Sequence, residues 1–371
     1  MVINYNLKYT KYKNKYLKLK KMIGGTLFKQ LPEVKIDGQI NSLSYNNKNG
    51  HLAIGTNNNT LIYDKNYKLI NTLKKEKTTC PVNHVSYSGT HLVTSCDKNA
   101  IVYEISQNYK EINVCEGPVS IKTMSCAPAE KPIVPICYVN QEVLLWIPTE
   151  TSMLRTVRKQ LELKGDNPKQ IGFINSISWK DLRFVTCSDS RVAIWTVSLP
   201  NNVSTVPISG SLIGKDFKLI AYVPHNYDSG DFIALVYENS SRILFYRCSD
   251  EFLDTNKRAD FFIDTEHQKP KQYATSSDIS GITLIVFHPT KKYLATCGTE
   301  NSVIIWSFEE PELEKAKSYK SLSINHFKVI RTIPIDANSK ITSIAFNDKD
   351  IAIGCNDGKL IIWQELVVSK K

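Results

Sequence analysis

ITSIAFNDKDIAIGCNDGKLIIWQ, residues 341–364, is the stretch of sequence that decides the fold. Apolar and polar side chains alternate along it, and short segments rich in Asn, Asp and Gly interrupt the alternation twice. A period of two indicates half-buried strands, and Asn, Asp and Gly favour the tight turns between them. The stretch therefore predicts three antiparallel strands joined by two turns.

The same pattern recurs along the chain, and internal repetition of this kind defines an architecture. Clear copies span residues 40–64, 82–104, 174–196 and 282–307, and weaker copies span 119–147 and 219–246. An aromatic residue closes the third strand of each copy, and we interpret these residues as structural: Tyr63, Tyr103, Trp146, Trp195, Tyr246, Trp306 and Trp363. Their spacing of 40 to 60 residues predicts an all-β, seven-bladed β-propeller of four-stranded antiparallel blades.

The two ends of the chain predict how the ring closes. Only eight residues follow Trp363, whereas TLFKQLPEVKI at residues 26–36 belongs to none of the copies. We therefore expect residues 26–36 to be the outer strand of the last blade, because this pairing removes a free sheet edge. Residues 26–371 are then the propeller, and residues 1–25 are a separate N-terminal arm. Fourth strands of the other blades are expected at residues 69–73, 111–115, 153–157, 203–208, 260–264 and 328–335.

Two segments carry a resemblance to a known family. FVTCSDSRVAIW at residues 184–195 and IAIGCNDGKLIIW at residues 351–363 resemble the WD-repeat family of β-propellers, whose pattern is Leu-Ala-Ser-Gly-Ser-x-Asp-x-Thr-Ile-x-Ile-Trp-Asp. The resemblance extends over about residues 26–368. The chain departs from the family in having no Trp-Asp dipeptide and no Gly-His pair at the opening of a repeat.

The resemblance also implies roles for acidic residues in turns. In the family, an aspartate between the second and third strands braces the turn through hydrogen bonds to a histidine and to the backbone. The matching structural residues of this chain are Asp97, Asp189 and Asp357, with Glu300 in the sixth blade.

The number and spacing of the cysteines indicate the redox state of the compartment in which the protein folds. The nine cysteines, at positions 80, 96, 115, 126, 137, 187, 248, 297 and 355, are odd in number and include no Cys-x-x-Cys pair. Without a secretory signal, this usage favours reduced thiols in a cytosolic type of compartment. Cys96, Cys187, Cys297 and Cys355 recur at similar places in the repeat, so we expect small buried core residues there.

The N-terminal arm, residues 1–25, carries seven lysines and no acidic residue, against a net charge of +11 for the whole chain. Apolar side chains recur in it at spacings of three and four residues, which is typical of one face of a helix. Gly24-Gly25 favours a helix end. A possible partner-docking seam consists of Tyr5, Tyr9, Tyr12, Tyr16, Leu19 and Ile23.

Three interpretations of the arm stay open. It is a solvated, partly disordered leader, a helix that docks on a protein partner, or a lysine-rich attachment to nucleic acid or an anionic membrane surface. KYTKYKNKYLKLKKMIGG, residues 8–25, is similar to the Tyr/Lys-rich leader ending in Gly-Gly on many proteins of mimivirus-type giant viruses. That resemblance implies a viral protein in the cytoplasm of the infected cell or in the virion.

Patterns of catalytic residues are missing from the sequence. The seven histidines form no His-x-His or His-Glu-x-x-His pair, and neither a glycine-rich phosphate loop nor a Gly-x-Ser-x-Gly turn occurs. We therefore expect no enzyme activity, catalytic residue, metal, cofactor or small-molecule substrate. Neither a secretory signal nor a transmembrane helix is expected. The sequence predicts a non-catalytic scaffold for protein partners; the alternatives are an arm-driven binder of nucleic acid or anionic membrane, and a propeller enzyme.

Overall fold

The computed structural model describes residues 27–73, 80–129, 132–148, 159–160, 174–189, 192–198, 202–206, 217–224, 231–238, 240, 242–248, 261–264, 281–298, 301–308 and 327–366. All helix or strand structure in these residues is β-strand, and the strands form seven antiparallel sheets. The first strands of neighbouring sheets contact each other around a common axis. The sheets are therefore the blades of a seven-bladed β-propeller, which confirms the predicted fold class.

The first three blades each contain four strands in sequence order, from the innermost strand to the outermost. Blade 1 consists of β3 (Ile40–Tyr45), β4 (Leu52–Thr56), β5 (Thr60–Tyr63) and β6 (Leu69–Leu73). Blade 2 consists of β7 (Val82–Tyr87), β8 (His91–Cys96), β9 (Asn99–Glu104) and β10 (Lys110–Glu116). Blade 3 consists of β11 (Ile121–Met124), β12 (Val134–Tyr138), β13 (Val143–Trp146) and β14 (Lys159–Gln160).

The next three blades repeat this order. Blade 4 consists of β15 (Ile174–Lys180), β16 (Arg183–Ser188), β17 (Val192–Ser198) and β18 (Asn202–Val206). Blade 5 consists of β19 (Phe217–Tyr222), β20 (Asp231–Tyr237), β21 (Arg242–Cys248) and β22 (Phe261–Asp264). Blade 6 consists of β23 (Ile282–Phe287), β24 (Tyr293–Gly298), β25 (Ser302–Phe308) and β26 (Phe327–Pro334).

Blade 7 joins the two ends of the chain. It consists of β27 (Ile341–Phe346), β28 (Asp350–Cys355) and β29 (Lys359–Leu366), with β1 (Leu27–Gln30) and β2 (Val34–Lys35) along its outer edge. β1 and β2 both pair antiparallel with β29, so the N-terminal segment covers the outer edge of the last blade as predicted. The two strands are separated around Pro32, which has no N–H group to donate to a sheet.

Several sequence predictions fall on residues that the structure does not describe. The arm at residues 1–25, with its seam, lies outside the described residues, and so does the fourth strand predicted at 153–157. The fourth strand of blade 3 lies instead at Lys159–Gln160. Within the described ranges, no helix has the length and hydropathy needed to cross a membrane.

The core lies between the blades, where the faces of neighbouring sheets meet. Phe245 of blade 5, for example, packs with Trp306 and Phe287 of blade 6, and the two phenylalanine ring centroids are 6.4 Å apart. All seven aromatic residues noted in the sequence lie in third strands and are buried: Tyr63, Tyr103, Trp146, Trp195, Tyr246, Trp306 and Trp363. Because burial of aromatic surface is the largest stabilising contribution per residue, these positions anchor the interfaces between blades.

Threonines of the second strands accept hydrogen bonds from the indole N–H groups of two of these tryptophans. Trp195 Nε1 donates to Thr186 Oγ1 at 3.0 Å, and Trp306 Nε1 donates to Thr296 Oγ1 at 2.9 Å. In blade 7 an isoleucine occupies the equivalent position, and Trp363 Nε1 has no hydrogen-bond partner among the described residues. The aromatic position is thus kept in every blade, whereas its hydrogen bond is not.

The first strand of each blade pairs with a strand on one side only, so its other edge carries unpaired backbone groups. Serines of the preceding blade bind many of these groups. The Oγ atoms of Ser42, Ser44, Ser86, Ser178 and Ser343 accept hydrogen bonds of 2.9–3.1 Å from the N–H groups of Val85, Tyr87, Cys126, Tyr222 and Leu43, respectively. These serines occupy the third or fifth position of a first strand, which are on the same face of the sheet.

Blades 5 and 6 lack these serines. The third and fifth positions are Leu219 and Ala221 in blade 5, and Leu284 and Val286 in blade 6. None of these side chains has an acceptor atom. The interfaces from blade 5 to blade 6 and from blade 6 to blade 7 are instead apolar, with Leu219 and Leu284 packed against their clusters.

Two tyrosines, one buried and one partly buried, connect blade 7 to blade 1 where the first strands end. The Tyr67 hydroxyl donates to Asp350 Oδ2 at 2.5 Å, and the Tyr45 and Tyr67 hydroxyl oxygens are 2.9 Å apart. Burial raises the pKa of both tyrosines, so both remain neutral donors. Tyr87 and Tyr109 are paired in the same way within blade 2, at 3.0 Å, and the Tyr109 hydroxyl lies 2.6 Å from Nδ1 of His51 in blade 1.

The prediction that all cysteines are reduced is wrong for one pair. Cys80 and Cys96 form a disulfide, with their Cα atoms 5.7 Å apart. The antiparallel pairing of Val82 with Cys96 brings residue 80 beside the end of β8, a proximity that spacing in the sequence does not reveal. The free cysteines of the described residues are buried, namely Cys115, Cys126, Cys137, Cys187, Cys297 and Cys355. Burial raises the pKa of Cys126 and of Cys355 to about 12, so these thiols are poor nucleophiles at neutral pH.

The edge hydrogen bonds make a direct prediction for Ser44→Ala. This change leaves the Tyr87 N–H without its acceptor, and an unsatisfied buried donor costs about 1–3 kcal/mol. We expect urea denaturation to report a loss of this size in the free energy of unfolding. Ser125→Ala is the matched control, because Ser125 is at the equivalent fifth position of blade 3 but makes no hydrogen bond to the described residues of blade 4. Equal losses in the two variants would contradict the assignment.

Candidate functional site

Every first strand has a β-bulge at its second residue. In all seven blades the pairing between the first and second strands skips that residue, as between Ile40 and Ser42 in blade 1. We call the skipped residues the bulge ring: Asn41, Asn83, Lys122, Asn175, Lys218, Thr283 and Thr342. A bulge releases a side chain from the ladder and aims it away from the regular pleat, so the ring presents seven polar side chains where the first strands begin.

The bulge ring surrounds one mouth of the axial channel. Its members are partly or fully exposed, whereas the residues that precede them, such as Ile40 and Ile341, are buried. A cavity of about 400 Å³ opens there between blades 6, 7, 1 and 2. Its lining consists of Gln39, Asn41, Asn83, Thr283, Leu284, Lys340, Ile341 and Thr342. We refer to this end of the ring as the channel-mouth face.

Some members of the bulge ring also connect neighbouring blades. Asn41 Nδ2 donates to the carbonyl of Val82 at 3.3 Å, and Thr342 Oγ1 donates to the carbonyl of Ile40 at 2.6 Å. No hydrogen bond to another side chain or to the backbone holds the side chain of Asn83 among the described residues. The ring therefore combines fixed donors with side chains that are available to a ligand.

The lysine of blade 3 is part of a network that ends on a carboxylate. Lys122 Nζ donates to Asn175 Oδ1 at 2.8 Å, and Asn175 Nδ2 donates to Asp189 Oδ1 at 2.6 Å and to the carbonyl of Phe217 at 2.7 Å. Asp189 thus offsets the positive charge of Lys122 through one intervening amide.

The turn acids are bound by side chains other than histidine. Ser120 Oγ donates to Asp97 Oδ1 at 2.5 Å, and Ser339 Oγ donates to Asp357 Oδ2 at 2.6 Å. Burial opposes ionisation of Asp357, but the bonds from Ser339 and the Lys359 backbone, with the Lys359 charge, leave its pKa below the ordinary value. A serine therefore takes the place that the family resemblance gives to a histidine. Glu300 lies outside the described residues.

One partly buried histidine lies directly below the bulge ring. His84, at the third position of the first strand in blade 2, donates from Nε2 to the carbonyl of Lys122 at 3.0 Å. Burial lowers the pKa of His84, because it disfavours the charged imidazolium. A neutral His84 therefore connects blades 2 and 3.

The functional groups of the site in the described part of the chain are those of polar and cationic side chains. No three His, Cys, Asp or Glu side chains there are grouped so that they could hold a metal ion. The channel-mouth face presents amide, hydroxyl and ammonium groups around a cavity, and such groups can bind a ligand.

Sequence reasoning missed the bulge ring, although a signal was present. Aligned first strands read INSLSY, VNHVSY, IKTMSC, INSISW, FKLIAY, ITLIVF and ITSIAF, and the second residue is polar in all of them. Alternation alone assigns such a residue to a solvent-facing position of a regular strand. The docking seam of the arm lies outside the described residues, so it stays a prediction.

The fold and the site together define a seven-bladed β-propeller with a polar channel mouth, and comparisons with known proteins agree. Residues 269–307 match the family described as WD domain, G-beta repeat. A search of curated proteins by sequence finds no match.

Solved structures share the fold at low sequence identity. The β-propeller domain of Myceliophteria thermophila Cps50 (Swd1) is similar with a TM-score of 0.64 and 13% identity over 91% of this chain and 99% of that one. A chain of the mitotic checkpoint complex is similar with a TM-score of 0.60 and 13% identity, over 92% of this chain and 94% of that one. At this identity the likeness establishes the architecture only.

The partly buried His84 makes the free energy of unfolding depend on pH in a defined direction. Because the pKa of His84 is lower in the folded state than in the unfolded state, its contribution is complete above about pH 6.5 and is lost as the pH falls through the folded-state pKa. One such group changes the free energy of unfolding by at most about 1.4 kcal/mol per pH unit. We expect His84→Gln to flatten the decrease in stability between pH 7 and pH 5 in urea titrations. An unchanged slope in this variant would mean that His84 is protonated in the folded protein.

Proposed function

We propose that this protein is a non-catalytic scaffold that binds protein partners on its channel-mouth face. The observation that supports the proposal is the bulge ring, in which seven polar side chains are released from the sheets at one end of a rigid ring. A partner that docks there meets preformed groups, so little conformational entropy is lost on binding. Most contacts that hold the ring together are elsewhere, between the faces of the blades.

The test introduces bulk on each face in turn. Gln39→Tyr with Asn83→Tyr fills the channel mouth, and Asn47→Tyr with Lys48→Tyr adds the same bulk in the exposed turn after β3, on the opposite face. We expect the mouth variant to lose the proteins that co-purify with the wild type from host cells, and the other variant to keep them. Equal melting temperatures establish that both variants are folded. Loss of the same partners in the opposite-face variant alone would refute the proposal.

The N-terminal arm is a second candidate binding element, on the strength of its seven lysines and its Tyr/Leu/Ile seam. We propose that the seam packs on a protein partner, since aromatic burial supplies most of the energy of such interfaces. The leader-like sequence of residues 8–25 supports expression in cells infected by a giant virus. Attachment of the lysines to nucleic acid or to an anionic membrane is the competing proposal.

Two arm variants separate these proposals. Replacing Tyr9, Tyr12 and Tyr16 by Ser keeps all seven lysines, whereas replacing Lys11, Lys13, Lys15 and Lys18 by Gln keeps the seam. We expect the tyrosine variant to lose a co-purifying protein and the lysine variant to keep it. If the lysine variant alone loses binding, and wild-type binding weakens steeply with salt, the arm binds phosphate groups. If neither variant changes binding, the arm is a passive leader.

A further inference from the structure

We propose that the sector of the channel mouth formed by blades 5, 6 and 7 binds an acidic segment of the protein partner, rich in Asp or Glu. The inference rests on the proposed scaffold function and specifies the chemistry of its partner. It follows from an asymmetry in the ring. The charged side chains in the bulge ring and cavity lining of this sector are the cations Lys218 and Lys340, and the nearby carboxylates Asp336 and Asp357 are bound by Lys359 and Ser339. In the sector of blades 3 and 4, Lys122 is instead connected by hydrogen bonds to Asp189.

The cations differ between the two sectors. Lys122 of blade 3 is bound through Asn175 to Asp189, so its charge is already offset. Lys218 holds the bulge-ring position of blade 5, and Lys340 lies at the start of blade 7 in the lining of the cavity. Neither ammonium group makes a hydrogen bond or ion pair in the described part of the chain.

Backbone donors add to these cations. At the fourth position of a first strand, the N–H group of Leu43 donates to Ser343 and that of Val85 donates to Ser42. The equivalent groups of Ile285 in blade 6 and Ile344 in blade 7 face positions held by Leu219 and Leu284, which have no acceptor atom. In the described residues no serine of the preceding blade accepts from these two N–H groups, so water or a ligand can accept from them.

The chemistry of the sector identifies the occupant. Two ammonium groups without a partner among the described residues, with two backbone N–H groups beneath them, favour a ligand with several negatively charged acceptors. The bulge ring contains no carboxylate that would repel such a ligand. The cavity of about 400 Å³, which overlaps the sector at blades 6 and 7, admits side chains of an extended peptide but not a folded domain. Acidic side chains on a flexible segment fit all of these features.

Binding of a fluorescein-labelled decapeptide of glutamate to the full-length protein tests the proposal, with a glutamine decapeptide as the neutral probe. The mouth variant is Lys218→Gln with Lys340→Gln. Lys48→Gln with Lys349→Gln removes the same charge from the opposite face, where both side chains are exposed. The arm is identical in all variants, so differences between them report on the propeller alone.

Fluorescence anisotropy at physiological salt should give a roughly tenfold weaker affinity for the glutamate peptide in the mouth variant, as expected for two ion pairs. The opposite-face variant should change less than twofold, and Lys218→Arg with Lys340→Arg should retain binding. Equal weakening on both faces, or none in the mouth variant, overturns the inference. So does a single-stranded decanucleotide that outcompetes the peptide at the mouth, because nucleic acid is then the ligand.

Failure here is distinguishable from failure of the scaffold proposal. If filling the mouth with Gln39→Tyr and Asn83→Tyr removes partners from cells while the lysine variants leave the glutamate peptide bound, the scaffold proposal stands and the acidic segment is wrong. If the glutamate peptide binds through Lys218 and Lys340 but filling the mouth removes no partner, the scaffold proposal fails instead.

Discussion

The unpaired edge of each first strand is the constraint on which the rest of this structure depends. Seven such edges point into a narrow ring, where a loop or a further strand has no room to cover them. The preceding blade is close enough to these edges for its side chains to accept hydrogen bonds from the unpaired N–H groups. Serines such as Ser42 and Ser343 meet the requirement because a short hydroxyl reaches a neighbouring N–H group without separating the two strands. Each buried N–H group left alone would cost about 1–3 kcal/mol, so these contacts decide how closely the blades pack.

Because the first strands pack closely, the second strand of each blade needs a small side chain at one position. At Gly354 an added Cβ would lie 2.5 Å from Ile40 Cγ2, and at Gly55 it would lie 2.9 Å from the carbonyl oxygen of Val82. Residues at the equivalent second-strand position in the other blades are Ser95, Cys137, Cys187, Val236 and Cys297. Most of these side chains are small, because the first residue of the next blade fills the space. Volume therefore explains Cys187 and Cys297 among the recurring cysteines. Cys96 and Cys355 lie one residue further along their strands, and Cys96 is bonded to Cys80.

Local patterns predicted most of the fold because the blades are built from local pairings. Alternation placed the strands, and the orphan segment at residues 26–36 indicated the closing pairing with β29, since a chain end without a repeat of its own must complete a sheet. The disulfide was missed because it depends on which residues face each other across β7 and β8. The bulge ring was missed for a similar reason. A polar second residue such as Asn83 looks like the outward side of a regular strand, and a register shift becomes evident only when both strands of the pair are placed.

The bulge is also what allows a repeat protein to acquire a specific surface. The first, third and fifth residues of each first strand are fixed by burial or by the edge of the next blade, as with Ile40 and Ser42. The second residue is outside the ladder in every blade, so Asn, Lys and Thr are all tolerated there. In blades 1, 4 and 7 it still donates to a carbonyl of the next blade, but Asn83 and Lys218 carry no such bond. Substitutions at these two positions can therefore change the charge of the channel mouth while the hydrogen bonds that hold the blades together stay intact.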